Sequence, residues 1–315
     1  MSEWIRVIAA VGTLALGGAA AAVAGVLAHR TPGPVASSPV AAPQSTTGNS
    51  ESGKTSFPVP PQRAVVFSRQ DSSDVLALAV VPGRRLSLQA SVVGGQGEGV
   101  EGLNVSFRVG SDVVAGQSCG AGCYRATTSP TGAPADVVVK VTRPGGTTTW
   151  TVRMPRPWPP PDASALVERA TRAYRSLRTF VIHDRLASGP KYAVRTVWTI
   201  VAPDRLTYQV ANGPAAVIIG NRRWDRLPGA GWQKSEQTPI QQPTPFWTSW
   251  IDAHVLETTR SEWRVSFFDP KAHAWFELVI AKRSLRTLET RMNTTAHFMH
   301  EVFGRFNEPL KITPP

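Results

Sequence analysis

Cysteine is nearly missing from this chain: Cys119 and Cys123 are the only two in 315 residues. That excludes a Cys-ligated zinc ribbon, an iron–sulfur centre and a disulfide-dense scaffold. No cysteine stands near the end of the N-terminal apolar run, which excludes lipobox acylation. Aromatic residues make up only 8%. A block of Lys and Arg is also lacking: the net charge of +12 is spread along the chain, as about +2 through Arg63, +3 to Pro159 and +7 beyond. A diffuse basic surface fits an anionic membrane or cell wall, so a nucleic-acid partner is set aside.

What is present begins with an uncharged run from Val7 to Ala28, bracketed by Arg6 and Arg30. Its 22 residues are enough to span a bilayer. Ala22, Ala24 and Ala28 also offer small residues for signal peptidase, while Glu3 offsets Arg6 in the n-region. A retained transmembrane helix and a cleaved signal both stay open. In either case the rest of the chain is expected outside the cytoplasm: tethered to the cell membrane by one span, or secreted.

Residues 31–62 are rich in Pro, Ser, Thr, Ala and Gly and poor in large apolar side chains, the composition of a disordered linker. From Ala64 to Met154 short apolar runs alternate with turn residues, and Leu86, Leu88, Ala90 and Val92 repeat with period two. About seven strands without a helical stretch predict a small β-sandwich over 63–155. In this setting Cys119 and Cys123, flanking Gly-Ala-Gly, are expected to form a local disulfide. Residues 156–161 hold Arg-Pro-Trp-Pro-Pro-Pro, which favours polyproline II and reads as a spacer.

Asp162 is a candidate N-cap, and Leu166, Ala170, Ala173, Tyr174 and Leu177 recur at helical spacing. Strands then return, the clearest over Tyr192–Val201, where Tyr192, Val194, Thr196, Trp198 and Ile200 share a face. The apolar segment Pro243–Leu256 is expected as a short helix lying across the sheet. The fold class is therefore mainly β: an N-terminal transmembrane helix, a small sandwich, and over 162–315 an α+β unclosed barrel with covering helices.

Three motifs match a pattern without its setting. Gly97–Gly102 satisfies G-x-G-x-x-G, but a strand follows where a helix N-terminus must receive the pyrophosphate, and Glu98 and Glu101 repel it. Gly116–Gly120 satisfies G-x-S-x-G, yet a nucleophile elbow around Ser118 needs an α/β sheet. His297-Phe-Met-His300 carries copper-type ligands, but on a strand His297 and Met299 share one face and His300 takes the other. No catalytic residue, metal site or cofactor is expected, and the protein reads as a non-enzyme.

The helix ending at Tyr174-Arg-Ser-Leu177, the hairpin Gly220–Trp224 with Gly231–Lys234, the Pro-rich Gln242–Trp250 and the hairpin Phe268–Pro270 with Trp275–Phe276 carry a resemblance. Over about 145 residues the second half resembles the LolA/LppX-like extracytoplasmic carriers. The resemblance implies an incomplete barrel, helices over its open side, and an apolar cavity that takes acyl chains or lipidated proteins. Through Gly99–Arg108 and Cys119–Arg125 the first half is similar to the immunoglobulin-like modules of exported actinobacterial proteins, including copper-resistance-associated ones. The resemblance implies that copper-binding versions of such modules use His and Met ligands; Ala64–Trp150 has neither, so a spacer or docking role is expected instead.

A one-layer curved sheet leaves a concave apolar face, the usual seat of a ligand. Val194, Trp198, Leu206, Tyr208, Val217, Ile219, Phe246, Trp250, Leu278 and Ile280 are the candidate lining. Arg222, Arg223 and Arg226 are candidate rim charges for an anionic headgroup. The expected function is binding of a lipid or other hydrophobic ligand, for transfer or envelope sensing. The expected partners are that ligand, the membrane and an envelope protein. The alternatives are a scaffolding module whose core is filled by side chains, and copper handling through His297 and Met299.

Overall fold

A computed structural model describes residues 59–70, 75–94, 99–129, 133–187, 193–294 and 297–315. The run Val7–Ala28 and residues 31–58 of the linker expected over 31–62 lie outside the described residues. Among the described residues no helix is long and apolar enough to cross a membrane. All three sheets and the helix belong to the compact unit Ser56–Pro315.

The first half is a two-sheet sandwich. One sheet has the order β1-β2-β3-β7-β6 and the other β5-β4-β8-β9. These strands are β1 (Val65–Gln70), β2 (Val75–Val81), β3 (Ser87–Val93), β4 (Asn104–Val109), β5 (Asp112–Ala115), β6 (Gln117–Gly120), β7 (Cys123–Thr127), β8 (Asp136–Arg143) and β9 (Gly146–Arg153). Nine strands stand where seven were expected; the additions are the four-residue β5 and β6, which bury too little to show an alternating pattern. Alternate side chains such as Val65, Phe67, Leu76, Leu78, Leu88, Val105, Phe107 and Val139 make the core between the sheets. Cys119 and Cys123 form the disulfide. The turn between them requires Gly122: its φ is +68°, and a Cβ there would stand 2.4 Å from the Val92 carbonyl oxygen.

The second half is one antiparallel sheet of eleven strands in the order β15-β14-β13-β12-β11-β10-β20-β19-β18-β17-β16. In chain order these are β10 (Thr179–Ala187), β11 (Ala193–Val201), β12 (Arg205–Val210), β13 (Ala215–Ile219), β14 (Arg222–Arg226), β15 (Gln233–Glu236), β16 (Ile251–Thr258), β17 (Glu262–Asp269), β18 (Ala274–Ala281), β19 (Thr287–Thr294) and β20 (His297–Gly304). Edge strands β15 and β16 do not pair, so the sheet stays unclosed.

A single helix among the described residues, α1 (Ser164–Arg175), packs on the face of the large sheet that carries Phe180 and Phe303, called the concave face below. It buries Leu166, Val167, Ala170, Thr171 and Tyr174. Its N-cap is Ala163, and Asp162 supports the first turn from one residue further out, accepting from the Ser164 backbone N–H at 3.1 Å and from its hydroxyl at 2.9 Å. Helices in the plural were expected, and here the structure corrects the sequence. Pro243–Leu256 forms no helix: it runs as an extended strap into β16. Pro243 and Pro245 withhold backbone donors, and Asp269 fixes the extended path by accepting from the backbone N–H groups of Thr248 and Ser249 and from the Ser249 hydroxyl.

The two halves share a core. Ala64, Val66, Val75, Ala77 and Ala79, on the outer side of β1 and β2, pack against Phe268, Trp275 and Phe298 on the convex side of the large sheet. Arg185 donates to Gln70 Oε1 at 2.7 Å across the same junction. The Pro-rich segment, expected as a spacer, is stitched to the fold: Trp158 packs on the sandwich core, and the Pro161 carbonyl accepts from the Val255 N–H at 2.9 Å.

Candidate functional site

Strand register decides which side chains look inward. Trp198 stands opposite Ile182 and Tyr208, Ile200 opposite Leu206, and Val194 opposite Leu186. On the far side Leu278 pairs with Val265 and Thr290, and Ile280 with Trp263. Val194, Trp198, Leu206, Tyr208, Leu278 and Ile280 therefore belong to one concave face, and all but the half-buried Tyr208 are buried.

Val217 and Ile219 do not belong to it. They pair with Thr207 and Arg205 and lie on the opposite face, where Ile312 of the C-terminal tail, Trp224 and Trp232 pack on them. The period of two that places Leu206 inward makes Ala216 and Ile218 the inward residues of β13. Phe246 and Trp250 sit in the strap, both half-buried.

Trp247 fills the centre of the strap. Its ring is fully buried, meets Tyr174, Phe267 and Phe276 edge-on, and donates from Nε1 to the Thr171 hydroxyl at 2.8 Å. Tyr174 in turn contacts Phe180 and Phe303. These rings tie helix, strap and sheet together over β17, β18, β20 and β10.

Across the middle of the concave face runs a polar row that hydrophobic patterning passes over. Thr196 of β11 faces Asp184 of β10, Asp184 faces Glu301 of β20, and Glu301 faces Thr290 of β19. Asp184 is 9% exposed, Glu301 1%, Thr196 2% and Thr290 0%. Among the described residues Asp184 Oδ1, Glu301 Oε2 and the hydroxyls of Thr196 and Thr290 have no hydrogen-bond partner. Burial raises the Asp184 pKa to about 7, against a hydrogen bond from Trp198 that lowers it. Burial and the neighbouring Asp184 charge hold Glu301 well above the carboxylate range. Two like charges in a desolvated site cannot both ionise easily, so near neutral pH the pair holds on to a proton.

The signal for this row was in the chain. Asp184 has the parity of Phe180, Ile182 and Leu186, and Glu301 that of Met299 and Phe303. An acid on the apolar stripe of a strand is the feature to look for.

The three candidate rim arginines separate. Arg223 faces inward and is bound to Asp225 at 2.8 Å, with Tyr208 Oη at 3.2 Å. Arg222 and Arg226 lie over Trp224 and Trp232 on the outer side. His300 stands 3.0 Å from Glu289 on the convex face, whereas Met299 is buried on the concave one. Among the described residues no group of three or more His, Cys, Asp and Glu side chains is arranged to hold a metal ion. Ser118 is exposed on edge strand β6. A strand, β4, follows Gly102.

No protein-family model matches the chain, and no curated protein matches it.

Proposed function

We propose that this protein works outside the cytoplasm, held at the membrane or released, and binds a lipid or other hydrophobic molecule without catalysing a reaction. One observation carries the reading: an unclosed eleven-stranded sheet turns one largely apolar face toward a cover of, among the described residues, only one helix and an extended strap. Such a cover rests on few hydrogen bonds, concentrated at Asp269 and Thr171, so the strap is the element that yields to a ligand. Burial of an acyl chain contributes about 0.8 kcal/mol per methylene before ordering costs. The LolA/LppX-like resemblance of the second half points the same way.

A second reading has its own observation. Trp247, Phe267 and Phe276 already fill part of the concave face, as they would in a scaffold whose core is closed by its own side chains. Native mass spectrometry with lipid extraction on the compact unit Ser56–Pro315 separates the two. A stoichiometric lipid adduct is expected, together with its loss in Trp198→Asp. Bare protein that ignores added lipid overturns the ligand reading in favour of the scaffold.

A further inference from the structure

The row Thr196–Asp184–Glu301–Thr290 is costly to bury. Adjacent strands stand about 4.8 Å apart, so the four side chains span roughly 14 Å of an otherwise apolar surface. Each unpaired buried polar atom opposes folding, and a buried carboxylate more so. Four such atoms lie on one line without a partner among the described residues: one oxygen of each carboxyl at its centre and a hydroxyl at each end.

The charge balance narrows the chemistry. With one proton shared, the pair carries a single negative charge. Among the described residues no lysine or arginine acts on either carboxyl, and Arg223, the inward guanidinium of β14, is committed to Asp225. From the helix above, Tyr174 faces Glu301 and stays neutral, since burial raises its pKa well above the ordinary value. Trp247 of the strap, Thr196 and Thr290 do not titrate. An anionic headgroup would be repelled. Among the described residues no group of three or more His, Cys, Asp and Glu side chains converges to hold a metal, and a calcium ion would need six or more oxygens at about 2.4 Å, which side chains spread along a strand-to-strand row do not provide. A compact monocation with several N–H donors fits: it neutralises the charge and hydrogen-bonds along the row.

The geometry points to this row as the seat of a primary ammonium group, the head of an amphiphile whose chain lies along the apolar remainder of the concave face. The inference rests on the ligand-binding reading above. It adds the sign and type of the headgroup.

The test is isothermal titration of Ser56–Pro315 with decylammonium, decanol and decanoate, each below its micellar concentration, at pH 7.5 in buffers of different ionisation enthalpy. Every described strand pairing and core contact lies within that unit, so it is a fair substitute for the full chain. Decylammonium is expected to bind at least about tenfold more tightly than decanol, the scale of a charge-assisted hydrogen bond. It should release up to one proton. In D184N/E301Q the preference should fall below about twofold while decanol affinity holds. Equal affinity of amine and alcohol for the native protein overturns the inference, as does a preference that survives in the double variant. Decanol binding without amine preference sinks this inference alone; absence of binding by all three probes sinks the ligand reading with it. Should D184N/E301Q lose its near-UV circular dichroism, D184N carries the test, and an amine preference that survives undiminished in it overturns the proposal.

Discussion

Replacing Asp184 by Asn is expected to make the protein more stable at pH 8 and to leave it almost unchanged at pH 4.5. In the folded protein the Asp184 proton is kept up to about pH 7, whereas an unfolded Asp releases it near 3.8. Between those values the unfolded chain binds fewer protons than the native one, so stability falls as pH rises. A group shifted upward in this way stabilises fully below its unfolded pKa, and that contribution is lost as pH climbs to the folded one. About three pH units at about 1.4 kcal/mol each give a loss of about 4 kcal/mol by pH 8. Glu301, raised for the same reason, steepens the slope. Asn keeps an oxygen to accept from Trp198 and has no charge to desolvate, so the variant should recover about 2 to 4 kcal/mol at pH 8. Urea unfolding of Ser56–Pro315 at pH 4.5, 6, 7 and 8 reads the effect. With a slope of about 3 kcal/mol per molar urea, the midpoint at pH 8 moves up by roughly 1 M. Parallel pH profiles of native and variant protein, or a native profile that rises from pH 4.5 to 8, would refute the reasoning.

Asp269→Ala removes one carboxylate that accepts from Thr248, Ser249, Lys271 and Ala272, so about 3 kcal/mol or more should be lost, with strap amides exchanging fastest in hydrogen exchange. Those hydrogen bonds lower the Asp269 pKa despite its burial, so its contribution is present above pH 4 and disappears on acidification, opposite in sign to Asp184. Trp247→Ala should cost about 3 to 5 kcal/mol in urea unfolding, because a fully buried ring is deleted and Thr171 loses its donor. Phe268→Ala is expected to cost about 3 to 5 kcal/mol and to split a single calorimetric transition into two, since Phe268 belongs to the cluster joining sandwich and sheet. The Cys119–Cys123 bond closes a loop of only a few residues, so its reduction should lower stability by no more than about 2 kcal/mol.

Most of the strands were legible because they are half-buried and alternate. The strand expected over Tyr192–Val201 is present as Ala193–Val201 among the described residues, and Trp198 declares its face through Val194, Thr196 and Ile200. Where alternation is absent, the physics differs. Val75–Val81 is apolar at every position because both of its faces are covered, Leu76, Leu78 and Val80 by the sandwich and Val75, Ala77 and Ala79 by the large sheet. A continuous run of that kind is the mark of two-sided burial. It therefore announced the junction between the halves, which a reading built on one core per domain treats as separate. The strap was misread for a related reason. Phe246, Trp247, Trp250 and Ile251 are spaced as on a helix face, but the chain at 243–250 takes its shape from two prolines and the Asp269 carboxylate, which is distant in sequence.

The candidate lining failed where parity was inferred without a pairing. In β13 every residue from Ala215 to Ile219 is buried, one set against the concave side and the other beneath the C-terminal tail, so composition alone gives no preference between Val217 and Ile218. Only the pairing of Leu206 with Ile218 decides it. The acid pair shows the converse. Asp184 and Glu301 lie 117 positions apart, and each alone is one polar residue on an apolar stripe; β10 and β20 become neighbours only when the last strand returns to the first of the sheet. A chain under selection for stability alone would place apolar side chains at both positions, at a gain of several kcal/mol over two desolvated carboxyls. Their presence beside two threonines that have no partner among the described residues is what the proposed ligand site predicts and a side-chain-filled core does not.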